Sequence, residues 1–203
     1  MMRIIKYKKT GNSNYIIEFD NMQKIKLNED LIINKKILYK KEIDEEEVRE
    51  LIRENKKYDI YNKCLRYIAV RVRSVKEIRD YLRRNEIEID EEVRIIDKLL
   101  DVGLLNDEKF TKAFINDKLK FSSMGPYRIE NELKKHQIES NIINKYMMMI
   151  DDSFLEKKIT TQITKIIKSS KKKNNLRDKI YNNLVSLGYS KDMIIENLNK
   201  IDF

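Results

Sequence analysis

The sequence predicts a mainly α protein built of tandem three-helix repeats, three units in an elongated, curved row, preceded by a small N-terminal β-meander and a helix. Three observations carry that expectation. A triplet of apolar residues recurs, Ile78, Leu82 and Ile87, then Ile129, Leu133 and Ile138, then Ile180, Leu184 and Tyr189, each set offset by 51 residues from the last. A fixed period of this size marks stacked supersecondary units. The 203 residues hold only 4 Gly and 1 Pro, too few for collagen, flexible linkers or a turn-rich β-sandwich. Apolar residues alternate in the strand manner up to residue 28 and take a helical period from Glu29 onward.

The meander comes first. Met2 to Tyr7 and Tyr15 to Phe19 read as strands around the turn cluster Thr10-Gly11-Asn12-Ser13-Asn14, and Asp20-Asn21 leads to a third strand, Met22 to Leu27. Such a sheet needs a helix to cover one face. Asp44, followed by Glu45, Glu46 and Glu47, places carboxylates at a helix start, where they complement the unpaired N–H groups. Val48, Leu51 and Ile52 supply its buried stripe, and the charged run Arg53 to Lys57 is expected to fray it and end the first domain, 1–57.

The repeats follow as 58–105, 106–150 and 151–203. Each triplet is preceded by a helical segment, with Leu65, Ile68, Ala69 and Val72 in the first unit and Phe110, Ala113 and Phe114 in the second. Each is followed by an expected cap, Asp90, Ser140 or Ser190, and then by a third helix, for which Val93, Ile96, Leu99 and Leu100 give the first unit's stripe. Ser74 with Glu77 is a capping box, and Leu105-Asn106 with Phe110 a hydrophobic staple. Gly125-Pro126 opens a helix, because proline at the first position loses no hydrogen bond. Gly103 and Gly188 stand where a left-handed residue would close one.

The net charge of +9 is local. Residues 157 to 191 hold ten basic side chains and one acid, Asp178, and so account for the whole excess. A polyanion is the natural partner of such a segment. Lys171, Lys172 and Lys173, flanked by Lys165, Lys168 and Arg177, read as a loop presenting ammonium groups to phosphates; the competing reading is a solvated loop. Few aromatic residues interleave with these lysines, so contact to the backbone is expected rather than base stacking. Arg71, Arg73, Arg83 and Arg84 in the first unit, with Lys118, Lys120 and Arg128 in the second, would extend a positive track or else form ordinary solvent faces, balanced as they are by acids.

Catalytic signatures are nearly absent. The four glycines are scattered, so there is no phosphate loop. His136 is the only histidine and reads as an exposed helical residue without partners for zinc or nucleophile activation. Cys64, on a stripe with Tyr61, Leu65 and Ile68, reads as a buried core thiol. Asp151-Asp152 and Glu91-Glu92 look like helix-start charges rather than a metal-binding cluster. The expectation is a non-enzymatic protein without cofactor or metal. No run approaches the roughly 18 apolar residues of a membrane span. The N-terminus lacks the apolar stretch of a signal peptide, and a single cysteine forms no internal disulfide, so a cytoplasmic protein is expected.

Three segments together resemble the RecX regulatory proteins of bacteria: Arg73-Ser74-x-x-Glu77-Ile78-x-x-x-Leu82, then Leu100-x-x-Gly103-Leu104-Leu105-Asn106-Asp107-x-x-Phe110, then Gly125-Pro126-x-x-Ile129-x-x-Glu132-Leu133. The resemblance spans roughly residues 58 to 203, and the meander is similar to an extension found in relatives from low-GC Gram-positive bacteria. It implies tandem three-helix repeats and a non-enzymatic, monomeric modulator of the recombinase RecA. Such a protein lies in the groove of the RecA–DNA filament, touches more than one protomer and interferes with filament growth or strand exchange. Two departures stand out. Asn85-Glu86 and Gln137 replace a glycine common in the family, so those helix ends are expected to close differently. Lys118 or Lys120 stands for an arginine, which removes bidentate binding at that site. A stand-alone DNA-binding protein with helix-turn-helix units is the competing class, weakened because Asp90-Glu91-Glu92 and Ser140-Asn141 bring little positive charge to a groove. A pure protein scaffold with an incidental basic tail is a third.

Overall fold

Alternation at the N-terminus yields a sheet. In the computed structural model, which describes residues 1–11, 13–170 and 175–201, β1 (Met2–Thr10), β2 (Asn14–Phe19) and β3 (Lys24–Asn28) pair antiparallel, with Ile4 opposite Phe19 and Ile17 opposite Ile25. A fourth strand not anticipated from the sequence, β4 (Glu42–Ile43), sets Met2 against Ile43 and gives the order β3-β2-β1-β4. It is two residues long and carries no periodicity to read. Between β3 and β4 lie α1 (Glu29–Asn34) and one 3-10 turn (Ile37–Tyr39). Ile17, Phe19, Leu27, Leu31, Ile37 and Ile43 form a core with Val48 and Leu51 of α2 (Glu45–Val70).

Asp44 caps α2 by accepting the amide of Glu47. The helix does not fray at residues 53–57 but runs on to Val70, ahead of Val72. Its reason is Asn55, a polar residue on the buried stripe: the Asn55 carbonyl accepts the backbone amide of Asn28 at 2.6 Å, and its amide donates to Asp59 at 3.0 Å. Ile60 and Cys64 continue the stripe, whereas Ile52 and Val72 are exposed. Cys64 is fully buried, and burial pushes its thiol up to about 11.

The remaining helices are α3 (Val75–Arg84), α4 (Ile89–Asp101), α5 (Asp107–Phe121), α6 (Pro126–Lys135), α7 (Ser140–Met147), α8 (Asp152–Ser169), α9 (Leu176–Leu187) and α10 (Lys191–Asn199). Among the described residues no strand follows residue 60. The chain divides into two compact units, Met1–Arg71 with Leu82–Ile95, and Val72–Tyr81 with the chain from Ile96 onward. In the second unit Phe110, Ile115, Ile129, Leu133, Ile138 and Ile143 form one core cluster, and Leu155, Ile159, Ile163, Ile180, Leu184 and Leu198 belong to another.

The 51-residue period has a backbone cause. The amide of Ile87 bonds the Leu82 carbonyl at 3.3 Å, Ile138 bonds Leu133 at 3.3 Å, and Tyr189 bonds Leu184 at 3.2 Å. The residue just before each donor is left-handed: Glu86 and Gln137 at φ 56°, Gly188 at φ 91°. This is the Schellman closure. Glu86 and Gln137 therefore do not close their helices differently, as expected from the missing glycine; they adopt the same conformation against the steric preference of a side chain.

Capping follows the sequence in part. Ser74 and Glu77 exchange backbone bonds reciprocally, and Asn106, Asp151 and Ser190 accept first-turn amides. Gly125 caps α6, with Pro126 at its first position. Asp90 and Ser140 are not caps. Ile89 already begins α4, in which Glu91 and Glu92 donate to the Glu88 carbonyl, and Ser140 is the first residue of α7 after Glu139. The α4 stripe is Ile95, Ile96 and Leu99, while Val93 and Leu100 are exposed.

Candidate nucleic-acid interface

The motif residues converge on one cluster. Asp107, in the first turn of α5, accepts the amide of Val75 at 3.0 Å, so a carboxylate reinforces the capping box at the start of α3. Burial raises the Asp107 carboxyl above the ordinary carboxylate range, opposed by that hydrogen bond and by His136. His136 is not an exposed helical residue. It caps the C-terminal end of α6 half-buried, its ring 4.9 Å from Phe110 and 5.4 Å from Phe114, with Nδ1 3.3 Å from the Ser74 hydroxyl. Ser, His and Asp side chains thus lie near one another, but Ser74 is 0% exposed and its hydroxyl already accepts the Glu77 amide. The cluster fastens helix ends. Among the described residues no three His, Cys, Asp or Glu side chains are grouped to hold a metal ion.

Gly125 and Gly188 join α6 to α9. The Gly125 amide donates to the Leu187 carbonyl at 2.7 Å and the Tyr127 amide to Gly188 at 3.0 Å, so the open carbonyls of one helix satisfy the open amides of the other. A Cβ on Gly125 would lie 2.6 Å from the Gly188 carbonyl group. Only glycine permits this approach.

The basic residues separate into two kinds. Arg73 is buried, its guanidinium 3.8 Å from Glu77, with side chains 10% and 16% exposed. Arg83 grips Glu92 through two bonds of 2.9 and 3.3 Å. Arg71 and Arg84 are exposed and, like Arg83, belong to the first compact unit. In the second unit, Lys118 lies 5.0 Å over the Phe114 ring and Lys120 5.2 Å over Phe121. Arg128 is exposed, and Arg177 donates to Asn199 at 2.7 Å. Lys165 and Lys168 project from α8 into solvent. Lys171, Lys172 and Lys173 lie outside the described residues.

Two of these residues, Lys120 and Lys165, share a groove of about 400 Å³ between the end of α5 and α8 from Phe154 to Lys165, together with Lys157 and Lys158. The last two were visible in the sequence only as part of the basic run. Lys158 is half-buried and donates to the carbonyls of Leu119 and Ser122 at 2.7 and 2.8 Å, covering the negative end of α5. Burial lowers its ammonium below the usual lysine range. Phe121 and Phe154 line the same groove. Each ring stands beside a lysine in the sequence, Phe121 next to Lys120 and Phe154 three residues before Lys157, but nothing local brings the two pairs together.

Comparison with known proteins agrees with the fold. Residues 61–99 match the family model for the first three-helix domain of RecX and residues 106–147 that for the second. A regulatory protein RecX from Listeria welshimeri is 30% identical over 207 residues, covering 98% of this chain and 76% of the relative. One from Listeria monocytogenes serotype 4b is 29% identical over 191 residues, covering 93% and 71%. The crystal structure of RecX from Lactobacillus salivarius superposes with a TM-score of 0.63 at 30% identity, over 71% of this chain and 97% of that one. A second crystal structure, of a regulatory protein RecX, has a TM-score of 0.75 at 16% identity and covers 99% of this chain and all of its own, a likeness of fold. Tandem three-helix domains, a curled N-terminal sheet and this degree of identity over most of the chain agree: the chain belongs to the RecX family.

Proposed function

We propose that this protein is a non-enzymatic regulator of homologous recombination and DNA repair, a monomer that binds the RecA–DNA filament and inhibits its growth, ATP turnover and strand exchange. The observation that carries the reading is family membership across the three-helix domains, whose relatives are named regulatory proteins. Three units in series, 58–105, 106–150 and 151–203, engage neighbouring protomers, and the avidity so gained vanishes when the filament disassembles. Exposed basic residues, among them Lys120, Arg128, Lys165 and Lys168, face phosphates and add a salt-sensitive term, to which the sequence run Lys171, Lys172 and Lys173, outside the described residues, would contribute. No described helix is long and apolar enough to cross a membrane, which is compatible with work on the chromosome in the cytoplasm. A reader of base pairs by helix-turn-helix is disfavoured, since α4 opens on Asp90, Glu91 and Glu92.

The test is a filament-disassembly time course with RecA-dependent ATP turnover followed in parallel. Added protein is expected to shorten filament lifetime and lower ATP turnover in proportion to filament concentration, leaving the DNA chemically intact. Unchanged filaments, or nuclease or ATPase activity from the purified chain alone, would refute the reading.

A further inference from the structure

The groove between α5 and α8 has a lining that neither helix shows alone. Phe121, the last residue of α5, is 76% exposed, and Phe154 in the first turn of α8 is 41% exposed. Lys120 lies 5.2 Å over the Phe121 ring, and both rings leave flat apolar surface open to solvent on which another ring can stack. Around them stand Lys120, Lys157 and Lys165, with Ser123, Thr161 and Gln162 as neutral hydrogen-bonding groups and no carboxylate in the lining. Two side-chain bonds tie the helices together along the groove: Lys158 spans to the end of α5, and the Gln162 side-chain amide donates to the Ser123 hydroxyl at 2.7 Å.

Helix C-terminal carbonyls repel an anion, and here they are covered by the Lys158 ammonium. Lys157 and Lys165 are two turns apart on α8, about 12 Å along the axis. That follows a phosphate backbone for roughly three nucleotides at duplex spacing. Charge without acid, exposed rings and hydroxyl or amide groups between them match a nucleotide strand. They match an acidic polypeptide less well, because it would leave the flat rings without stacking partners.

We infer that this groove binds single-stranded nucleic acid, with bases stacked on Phe121 and Phe154 and phosphates held by Lys120, Lys157 and Lys165. The inference deepens the DNA contact in the function proposed above and rests on it. Single-strand sites commonly combine a basic track with aromatic platforms in this way. The expectation of backbone contact alone, based on the scarcity of aromatic residues near the lysines in the chain, is replaced by a site assembled from two helices.

Fluorescence anisotropy on the full chain tests this, with a labelled oligothymidylate and an abasic sugar-phosphate oligomer of equal length. Phe121→Ala with Phe154→Ala should weaken oligothymidylate binding by about 30-fold or more, as loss of stacking for two bases requires, and leave the abasic oligomer unaffected. Lys120→Gln, Lys157→Gln and Lys165→Gln together should weaken both and flatten the log–log salt dependence by about 2. Matching thermal melts exclude unfolding as the cause. Wild-type binding of oligothymidylate by the phenylalanine variant, or an equal loss for the abasic oligomer, overturns the inference. If that variant instead loses only recombinase bound without DNA, the groove is a polypeptide site and the inference fails while the filament reading stands. If wild-type protein leaves the filament unchanged and the variant still loses oligothymidylate selectively, the filament reading fails and the groove stands.

Discussion

The arginines of residues 71–84 and the lysines around α8 carry the same formal charge and stand in opposite situations. Arg73 and Arg83 are tied to Glu77 and Glu92, and the Glu92 side chain is 4% exposed. Among the described residues Lys157, Lys165 and Lys168 have no salt-bridge partner and face water. The sequence hints at this through charge balance over longer spans, since residues 58–105 hold ten basic and ten acidic side chains whereas residues 157–191 hold ten and one. Balanced charge folds into ion pairs, and surplus charge is left for a partner. Guanidinium groups suit the first role because their planar fork fits a carboxylate, and flexible ammonium groups suit the second.

The sharpest way to break this comparison is to treat Arg73 as a surface charge. Arg73→Ala removes one side of a mostly buried pair and should cost about 3 kcal/mol of stability in urea unfolding. A loss within 0.5 kcal/mol, the range of about ±0.5 kcal/mol usual for surface substitutions, would place Arg73 among the exposed cations. Arg83→Ala should cost less, about 1 kcal/mol, because its side chain is 59% exposed and water screens the pair. Denaturation midpoints of the two variants, measured side by side, fix the order.

The fold consumes an acid in the same manner, and there the effect is read through pH. Burial raises the Asp107 carboxyl, so its protonated form favours the folded state. That contribution is full below the ordinary carboxylate range near pH 4 and is lost as pH rises through the raised value. Asp107→Asn keeps an acceptor for the Val75 amide without the buried charge. The variant is expected to be the more stable protein at pH 7, with the difference closing toward pH 3. Chemical unfolding at the two values checks it, and a variant less stable than wild type at neutral pH would mean that the charge itself holds the cluster.

Much of the fold was legible because its determinants are local. The triplets mark both the buried stripe and the closing hydrogen bond, and Ser74, Asn106, Ser190 and Pro126 announce helix starts through short-range chemistry. What escaped is non-local. β4 exists because Ile43 finds Met2, and α2 continues because Asn55 finds Asn28. His136 looked exposed until Phe110, Phe114 and Ser74 arrived from other elements. The groove is the extreme case: the basic run was plain in the sequence, but the groove forms only where Lys120 and Phe121 at the end of α5 meet Phe154, Lys157 and Lys165 of α8. Glu86 and Gln137 teach the converse, that a missing glycine does not abolish a left-handed closure when the next residue is held by its own backbone hydrogen bond.

The most direct test of the division between consumed and available charge is the affinity for recombinase–DNA filament across a salt series. Two variants are compared with wild type: Lys157→Gln, Lys165→Gln and Lys168→Gln together, and Arg73→Gln with Arg83→Gln. The account predicts that the lysine variant keeps wild-type stability to within about 0.5 kcal/mol and loses about 2 from the slope of log affinity against log salt, each released phosphate contributing about 0.7 on a single strand. The arginine variant is predicted to melt earlier and keep the wild-type slope. An unchanged slope in the lysine variant beside a reduced slope in the arginine variant would contradict the account and move the DNA-facing charge to the first region.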